Sequence, residues 1–126
     1  MGRIGLDHTI VASRNARAAA QRLAAVLGVP WAERSAFGPF CLVYVNDGLT
    51  LDFDQHDDGA FAVQHFCFRV GNDEFDALLA RLRAHAVAIR STPHGAVDGQ
   101  VNTLHGGRIV YWSEPDGHVW EALTRS

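Results

Sequence analysis

The chain of 126 residues contains no lysine and only two cysteines, and it lacks any long apolar or basic segment. Cys41 and Cys67 lie apart with no CxxC spacing, so we expect no disulfide scaffold and a reducing, cytoplasmic location. No apolar run approaches the roughly 20 residues of a membrane-spanning helix, and the N-terminus shows no secretory signal. A net charge of −3 without a basic run argues against nucleic acid as the main partner. These absences leave one ordinary globular domain as the expectation.

Two parts of the chain resemble each other. The segment GLDHTIV at residues 5–11 is similar to AVQHFCF at residues 62–68, and Asp47-Gly48 finds its counterpart in Asp116-Gly117. The repeat predicts two copies of one unit, module one at about 1–58 and module two at about 59–126. The second copy is about ten residues longer, and we place this surplus between residues 93 and 107.

Each copy has the pattern of a strand, a helix and three further strands. Apolar residues at helical spacing predict helices over 15–27 and 73–86, and alternating segments predict the strands. The predicted strands cover residues 4–12, 31–36, 40–45, 49–54, 61–70, 87–91, 108–113 and 118–124. This element order predicts an α+β fold.

Strand alternation places equivalent polar residues of the two copies on the sheet face away from the helices. His8 corresponds to His65, and Asp52 corresponds to Glu121. Two imidazoles and a carboxylate on one rigid face suit a divalent-metal site with open positions for water or substrate. The alternative is that each residue merely occupies a half-exposed antiparallel sheet. The twofold recurrence of both residue types favours metal binding.

At this point the sequence resembles the vicinal oxygen chelate superfamily, which includes glyoxalases, bleomycin-resistance proteins and extradiol dioxygenases. The motifs that carry the resemblance are LDHT at residues 6–9, QHF at 64–66 and GRIVYWSEPDGHVWE at 107–121. The resemblance implies two tandem βαβββ modules that form a curled, cup-shaped mixed sheet with the helices on its convex side. It also implies His8, His65 and Glu121 as metal ligands, and a homodimer in which the site is shared between subunits. Whether the modules pair within or between chains remains open.

The segments GLTLDF at 48–53, EFDA at 74–77 and GGR at 106–108 are most similar to the subgroup of the chartreusin-pathway ring-cleaving dioxygenase. This similarity implies a divalent-metal enzyme, with Fe(II) favoured and Zn, Ni or Mn as alternatives, that cleaves a small aromatic or quinone-like molecule oxidatively. Two alternatives stay open. One is a non-redox lyase or isomerase of glyoxalase type, and the other is a small-molecule binding or antibiotic-resistance protein without turnover.

Further residues near the expected ligands are candidates for catalysis and substrate binding. Asp52 and Tyr111 are candidates for proton transfer, although Asp52 could instead be a fourth metal ligand and Tyr111 could pack under a helix. Candidate substrate-binding residues are Arg69, Trp112 and His105. The surplus loop that contains His105 is either a lid or a mobile connection. We expect His118, in the turn before the last strand, to be exposed.

Overall fold

The computed structural model describes residues 3–34 and 40–124 and divides the chain into two compact units, Met1–Ala62 and Val63–Ser126. The elements of the first unit are β1 (His8–Ser13), α1 (Ala16–Leu27), β2 (Trp31–Arg34), β3 (Phe40–Asn46) and β4 (Leu49–Gln55). Its four strands form one sheet in the order β1-β4-β3-β2. Strand β1 runs parallel to β4, and the other pairs are antiparallel. The sheet is therefore mixed.

Local sequence signals define both ends of α1. The Asn15 side chain accepts a hydrogen bond from the Ala18 backbone N–H, and Gly28 adopts the left-handed conformation that ends the helix, with φ of 69°. The buried face of α1 is dominated by alanine, which lets the helix lie close to the sheet. Beneath it, β1, β3 and β4 contribute the fully buried side chains of Val11, Val43 and Phe53.

The second unit repeats this order with a bulkier core. Its elements are β5 (His65–Arg69), α2 (Asn72–Ala84), β6 (Ile89–Arg90), β7 (Ile109–Ser113) and β8 (Val119–Leu123), with the sheet order β5-β8-β7-β6. Phe66 stacks on Trp120 with ring centroids 4.6 Å apart. Helix α2 buries Phe75, Leu78 and Leu82. Large side chains thus fill the core on the helix-facing side of this sheet.

These observations confirm the predicted α+β fold with two βαβββ modules and mixed strand pairing. Two strands begin four residues later than predicted, β1 at His8 and β5 at His65, and β6, β7 and β8 begin one or two residues later. The side chains of Ile4 and Leu6 before β1 are exposed, so they lack the burial that would hold a longer strand. The predicted last residues of β2, 35 and 36, lie outside the described residues. Within the described ranges, no helix is long and apolar enough to cross a membrane.

The long connection between β6 and β7 is anchored to the second sheet at several points. Asn102 and Ile109 exchange two backbone hydrogen bonds, and the Gly99 N–H donates to the Ile89 carbonyl at 3.0 Å. Asp98 accepts hydrogen bonds from the backbone and the hydroxyl of Ser91, at 3.1 and 2.5 Å. The predicted surplus loop therefore has defined contacts with the sheet at Gly99 and Asn102.

Candidate metal centre

An imidazole and a carboxylate meet on the helix-free face of the second sheet. His65 Nε2 lies 2.7 Å from Glu121 Oε1, and the two residues come from the parallel neighbours β5 and β8. The Glu121 side chain is 11% exposed, whereas that of His65 is 44% exposed. Around Glu121 the same face carries the buried side chains of Ile109 and Val119. The carboxylate is thus held in apolar surroundings with a nitrogen donor at its open side.

Tyr111 completes this cluster. It pairs with Glu121 in the register of β7 and β8, which places both side chains on one face, and its ring lies edge-on to His65 with centroids 6.3 Å apart. Burial raises the pKa of the phenol, and the charge of Glu121 and a hydrogen bond to that carboxylate raise it further. The structure thus places Tyr111 in the candidate site and not under a helix, and its hydroxyl is protonated at neutral pH.

The His65–Glu121 pair fits a divalent metal by its donor types and its spacing. Imidazole nitrogen and carboxylate oxygen suit Zn, Fe, Ni and Mn alike. Two ligands about 2.1 Å from an ion and at right angles to each other lie about 3 Å apart. The observed 2.7 Å between the two donor atoms is within a few tenths of an ångström of that value. An ion held here would replace the hydrogen bond between them.

The equivalent residues of the first unit make different contacts. The His8 side chain is 54% exposed and forms a hydrogen bond through Nδ1 with Asp7 at 2.8 Å. This bond and the nearby Asp52 charge raise the pKa of His8. Asp52 accepts a hydrogen bond from the Thr50 hydroxyl at 2.9 Å. Within neither unit, over the residues described, do three His, Cys, Asp or Glu side chains form a metal-binding cluster.

The sequence-predicted substrate-binding residues are placed differently from one another. Arg69 is exposed, four residues after His65 in β5 and on the same face of the sheet. Within the described part of the chain, no hydrogen bond or ion pair engages its guanidinium. Trp112 lies on the opposite face, opposite Trp120 in the register, and is 2% exposed. Because side chains alternate along β7, Tyr111 faces Glu121 and Trp112 packs in the core. The predicted role of Trp112 as a surface for substrate is therefore wrong.

Two further histidines of the second unit also differ in environment. His105 is exposed in the connection before β7, as a substrate-contacting role would require. His118 is fully buried, contrary to the sequence expectation, and its Nδ1 accepts a hydrogen bond from the Gln64 backbone N–H at 3.0 Å. This bond joins the residue before His65 to the residue before β8, so His118 helps to hold β5 and β8 in register next to the candidate site.

Sequence reasoning missed one charged residue of the same face. Arg90 is 7% exposed and pairs with Tyr111 in the register of β6 and β7. Strand β6 contains only two residues, which is too short to show the alternation from which the other site residues were inferred. A lone arginine inside the apolar segment VAIR at 87–90 was the available signal.

A cleft of the described residues lies in the first unit and not beside Glu121. Its volume is about 570 Å³. It is lined by the start of β1, the end of α1 and the β3–β4 hairpin, including Asp7, Tyr44 and Thr50. None of the predicted metal ligands lines this cleft.

Comparison with solved structures shows which proteins this chain is similar to. The structure named Oxidase ChaP-H2 is 36% identical, with 98% of this chain and 94% of that chain covered and a TM-score of 0.87. The structure named Oxidase ChaP-H1 is 41% identical, with 98% of both chains covered and a TM-score of 0.85. A lactoylglutathione lyase from Agrobacterium tumefaciens shares the fold at 16% identity, over 98% of this chain and 96% of that chain, with a TM-score of 0.72. No family model and no curated protein matches the chain.

Proposed function

Because the chain belongs to the vicinal oxygen chelate superfamily, we propose that it is a divalent-metal-dependent enzyme of the dioxygenase type. Its substrate is a small, oxygen-rich aromatic or quinone-like molecule. The observation that carries this proposal is the contact of 2.7 Å between His65 Nε2 and Glu121 Oε1, beside a protonated Tyr111. The names of the two structures at 36% and 41% identity, both oxidases, support the oxidative reaction over a lyase reaction.

The proposed metal ligands are His65 and Glu121 of the second unit, with His8 as the third. The first two already face each other, and His8 is exposed at the start of β1, where only the Asp7 carboxylate engages its ring among the described residues. When bound, the ion supplies Lewis acidity at neighbouring oxygens of the substrate and, if it is Fe(II), reactivity toward O₂. Fe(II) is our first choice because two structures at 36% and 41% identity are named oxidases, although Zn, Ni and Mn accept the same ligands.

The remaining side chains of the proposed site position charge and protons. Tyr111 lies beside Glu121 on the same sheet face, and its protonated hydroxyl is the proposed hydrogen-bond donor that directs this carboxylate. Asp52, held by the Thr50 hydroxyl, is the proposed base for a substrate hydroxyl. Arg69 offers an exposed positive charge to an anionic substrate group, and His105 is proposed to contact substrate from the neighbouring loop.

Metal analysis tests the ligand proposal directly. The wild type, His65→Ala and Glu121→Gln are each incubated with Fe(II) under anaerobic conditions, desalted and analysed for bound iron. We expect about one ion per chain in the wild type and a large loss in both variants, since removing one of three ligands weakens binding strongly. His85→Ala is a matched control, because His85 is an exposed residue at the end of α2. Equal metal content in all four proteins would contradict the proposal.

Oxygen uptake tests the reaction. The Fe(II)-loaded protein is mixed with a panel of catechols and hydroquinones of increasing ring number while dissolved oxygen is recorded. Dioxygenase activity predicts uptake of one O₂ per substrate molecule consumed, and this uptake should be absent from His65→Ala. Substrate turnover without oxygen uptake, with any of the four metals, would instead indicate a lyase or isomerase, and tight binding without turnover would indicate a binding protein.

A further inference from the structure

The face of the second sheet that carries Glu121 also carries a buried arginine without an acidic partner. Arg90 pairs with Tyr111, and Tyr111 pairs with Glu121, so the three side chains form one row across β6, β7 and β8. Arg90 is 7% exposed. Burying a guanidinium away from water is costly unless a negative charge accompanies it. A negatively charged group beside the Arg90 guanidinium would therefore be stabilised at this position.

The hydrogen bonds of Arg90 all go to neutral acceptors. Its Nε donates to the carbonyls of Thr92 and Pro93, at 3.0 and 3.3 Å, and Nη2 donates to the Pro93 carbonyl at 2.8 Å. Nη1 donates to the Ser113 hydroxyl. These contacts use three of the five N–H groups of a guanidinium. The two others, one on each terminal nitrogen, have no acceptor among the residues that the structure describes.

An acidic residue of the adjoining loop does not supply the missing charge. Asp98 binds the backbone and hydroxyl of Ser91, and no ion pair of Arg90 with an acidic residue is found in residues 3–34 and 40–124. The neutral bonds fix the guanidinium in one orientation without neutralising it. Such a group is prepared for a planar, bidentate anion.

The register also gives the distance of this charge from the proposed metal ligands. Ser113, which Nη1 contacts, pairs with Val119, and Val119 pairs with His65. These pairs run from β5 through β8 to β7, so the guanidinium lies beside β7, two strands away from His65. Two strand spacings amount to about 10 Å. A fused aromatic ring system spans this distance, whereas a two- or three-carbon oxo acid does not.

We propose that Arg90 binds an acidic oxygen of the substrate, a carboxylate or an ionised phenol, at the end of an aromatic ring system opposite to its metal-binding end. The inference rests on the proposed function only in taking the other end of the substrate as the end that binds the metal. The anion site itself requires only Arg90 and Ser113. The substrate class narrows accordingly to polycyclic aromatic acids.

Two probes of equal shape and different charge test this proposal. Binding of 2-naphthoate and of uncharged 2-naphthamide is measured by calorimetry, on metal-free and on Zn-loaded protein. A charge-assisted hydrogen-bonded pair predicts that the wild type prefers the acid over the amide by about tenfold or more. The Arg90→Met variant should bind both probes equally. Arg22→Met, which removes an exposed charge from α1, should keep the preference for the acid.

Several outcomes would overturn the proposal: no preference for the acid in the wild type, a preference retained in Arg90→Met, or a preference abolished by Arg69→Gln alone. If Arg90→Met does not fold, Arg90→Lys decides, because lysine keeps the charge but loses the planar fork. We expect it to bind 2-naphthoate about threefold or more weakly than the wild type, and an unchanged affinity would contradict the inference. If the protein binds no metal but still prefers 2-naphthoate, the anion site is supported and only the proposed function fails.

Discussion

One neighbouring side chain in each module accounts for why Glu121 contacts a histidine within its own unit and Asp52 does not. In the first sheet, Thr50 donates a hydrogen bond to Asp52 at 2.9 Å. In the second sheet the equivalent position is Val119, which has no hydrogen bond donor in its side chain, and Glu121 meets His65 instead. The longer side chain of Glu121 extends this reach by one methylene. The difference between the modules at this point therefore has a local chemical cause.

The position of the protonated Tyr111 hydroxyl beside Glu121 predicts an effect on metal affinity. Tyr111→Phe removes the donor that orients the carboxylate, so we expect divalent-metal affinity to fall by about tenfold with little change in the far-ultraviolet circular dichroism. Calorimetric titration with Zn measures the affinity. Tyr44→Phe is the matched control, since Tyr44 is the other tyrosine of the chain and lies in β3 of the other unit. An unaltered Zn affinity in Tyr111→Phe would show that the phenol does not position Glu121.

Glu114 predicts a pH dependence of stability. Its carboxylate accepts hydrogen bonds from the backbone N–H groups of Asp116 and His118, but burial is the larger effect and raises its pKa. The native state thus keeps this proton to a higher pH than the unfolded chain does. The corresponding stability is complete below the unfolded pKa of about 4.3 and is lost as pH rises through the native pKa.

Urea denaturation of the wild type and Glu114→Gln at several pH values between 4 and 7 checks this expectation. The difference in unfolding free energy between the two proteins should change with pH, in the direction that the wild type gains relative to Glu114→Gln as the solution becomes more acidic. Parallel curves over the whole range would contradict a raised pKa for Glu114.

Sequence was informative at the residue level where a pattern repeated and uninformative where it did not. His8, His65, Asp52 and Glu121 recurred at equivalent positions, and their strand faces followed from alternation. His118 and Arg90 have no counterpart of the same type in the first module. Their burial depends on contacts with residues distant in the chain, such as the bond from Gln64 to His118. No local pattern carries such contacts.

At the level of elements, the two helices end in chemically different ways. Gly28 follows α1 in the left-handed conformation, whereas the corresponding residue after α2 is Ala86, with φ of 53°. A left-handed conformation costs an L-residue with a Cβ about 1–2 kcal/mol. This position explains why α2 ends at Ala84, two residues before the predicted end.

Ala86→Gly is expected to stabilise the protein by about 0.5–1 kcal/mol, because the relief of strain exceeds the greater entropy that glycine has in the unfolded chain. The midpoint and slope of urea denaturation give the free energy of unfolding. Ala84→Gly, at the last residue of the same helix, should instead destabilise it by up to about 1 kcal/mol. A loss of stability in Ala86→Gly would refute the strain argument.

The connection between β6 and β7 makes a second prediction at this scale. Hydrogen bonds from Ser91 and Gln100 lower the pKa of Asp98. Contacts of this kind contribute above the unfolded pKa of about 3.9 and are lost as pH falls through the lowered native value. Asp98→Asn should therefore speed backbone hydrogen exchange in residues 91–102 at neutral pH while leaving α1 unchanged. Equal exchange rates in both proteins would show that Asp98 does not anchor this segment.

At the scale of the whole molecule, the internal repeat carried the prediction of the fold. Two copies of one element order limited the architecture to paired modules, and both sheets have the same strand order and pairing directions. The start of β1 and β5 and the packing of the long loop could not be predicted, because they depend on burial and hydrogen bonds between distant segments. The ligand set His8, His65 and Glu121 stays a prediction, since within residues 3–34 and 40–124 only the His65–Glu121 contact brings two of these ligands together inside one unit.

Mixing two defective variants tests the proposed shared site of a homodimer. His8→Ala and His65→Ala are each expected to bind metal poorly. If His8 of one subunit joins His65 and Glu121 of another, a dimer formed from the two variants contains one intact ligand set. Unfolding and refolding the variants together should then restore part of the metal binding, and refolding each alone should not. Absence of recovery, with dimers present by light scattering, would indicate that all ligands come from one chain.

The anchoring of residues 91–107 has a consequence for how such a protein changes over generations. The backbone bonds of Gly99 and Asn102 secure this segment independently of its outward-facing side chains. Val97 and Leu104 are 60% and 83% exposed, so mutation there leaves the framework below intact. These exposed side chains can therefore vary without first compensating for lost stability, and the longer module is the one free to diversify.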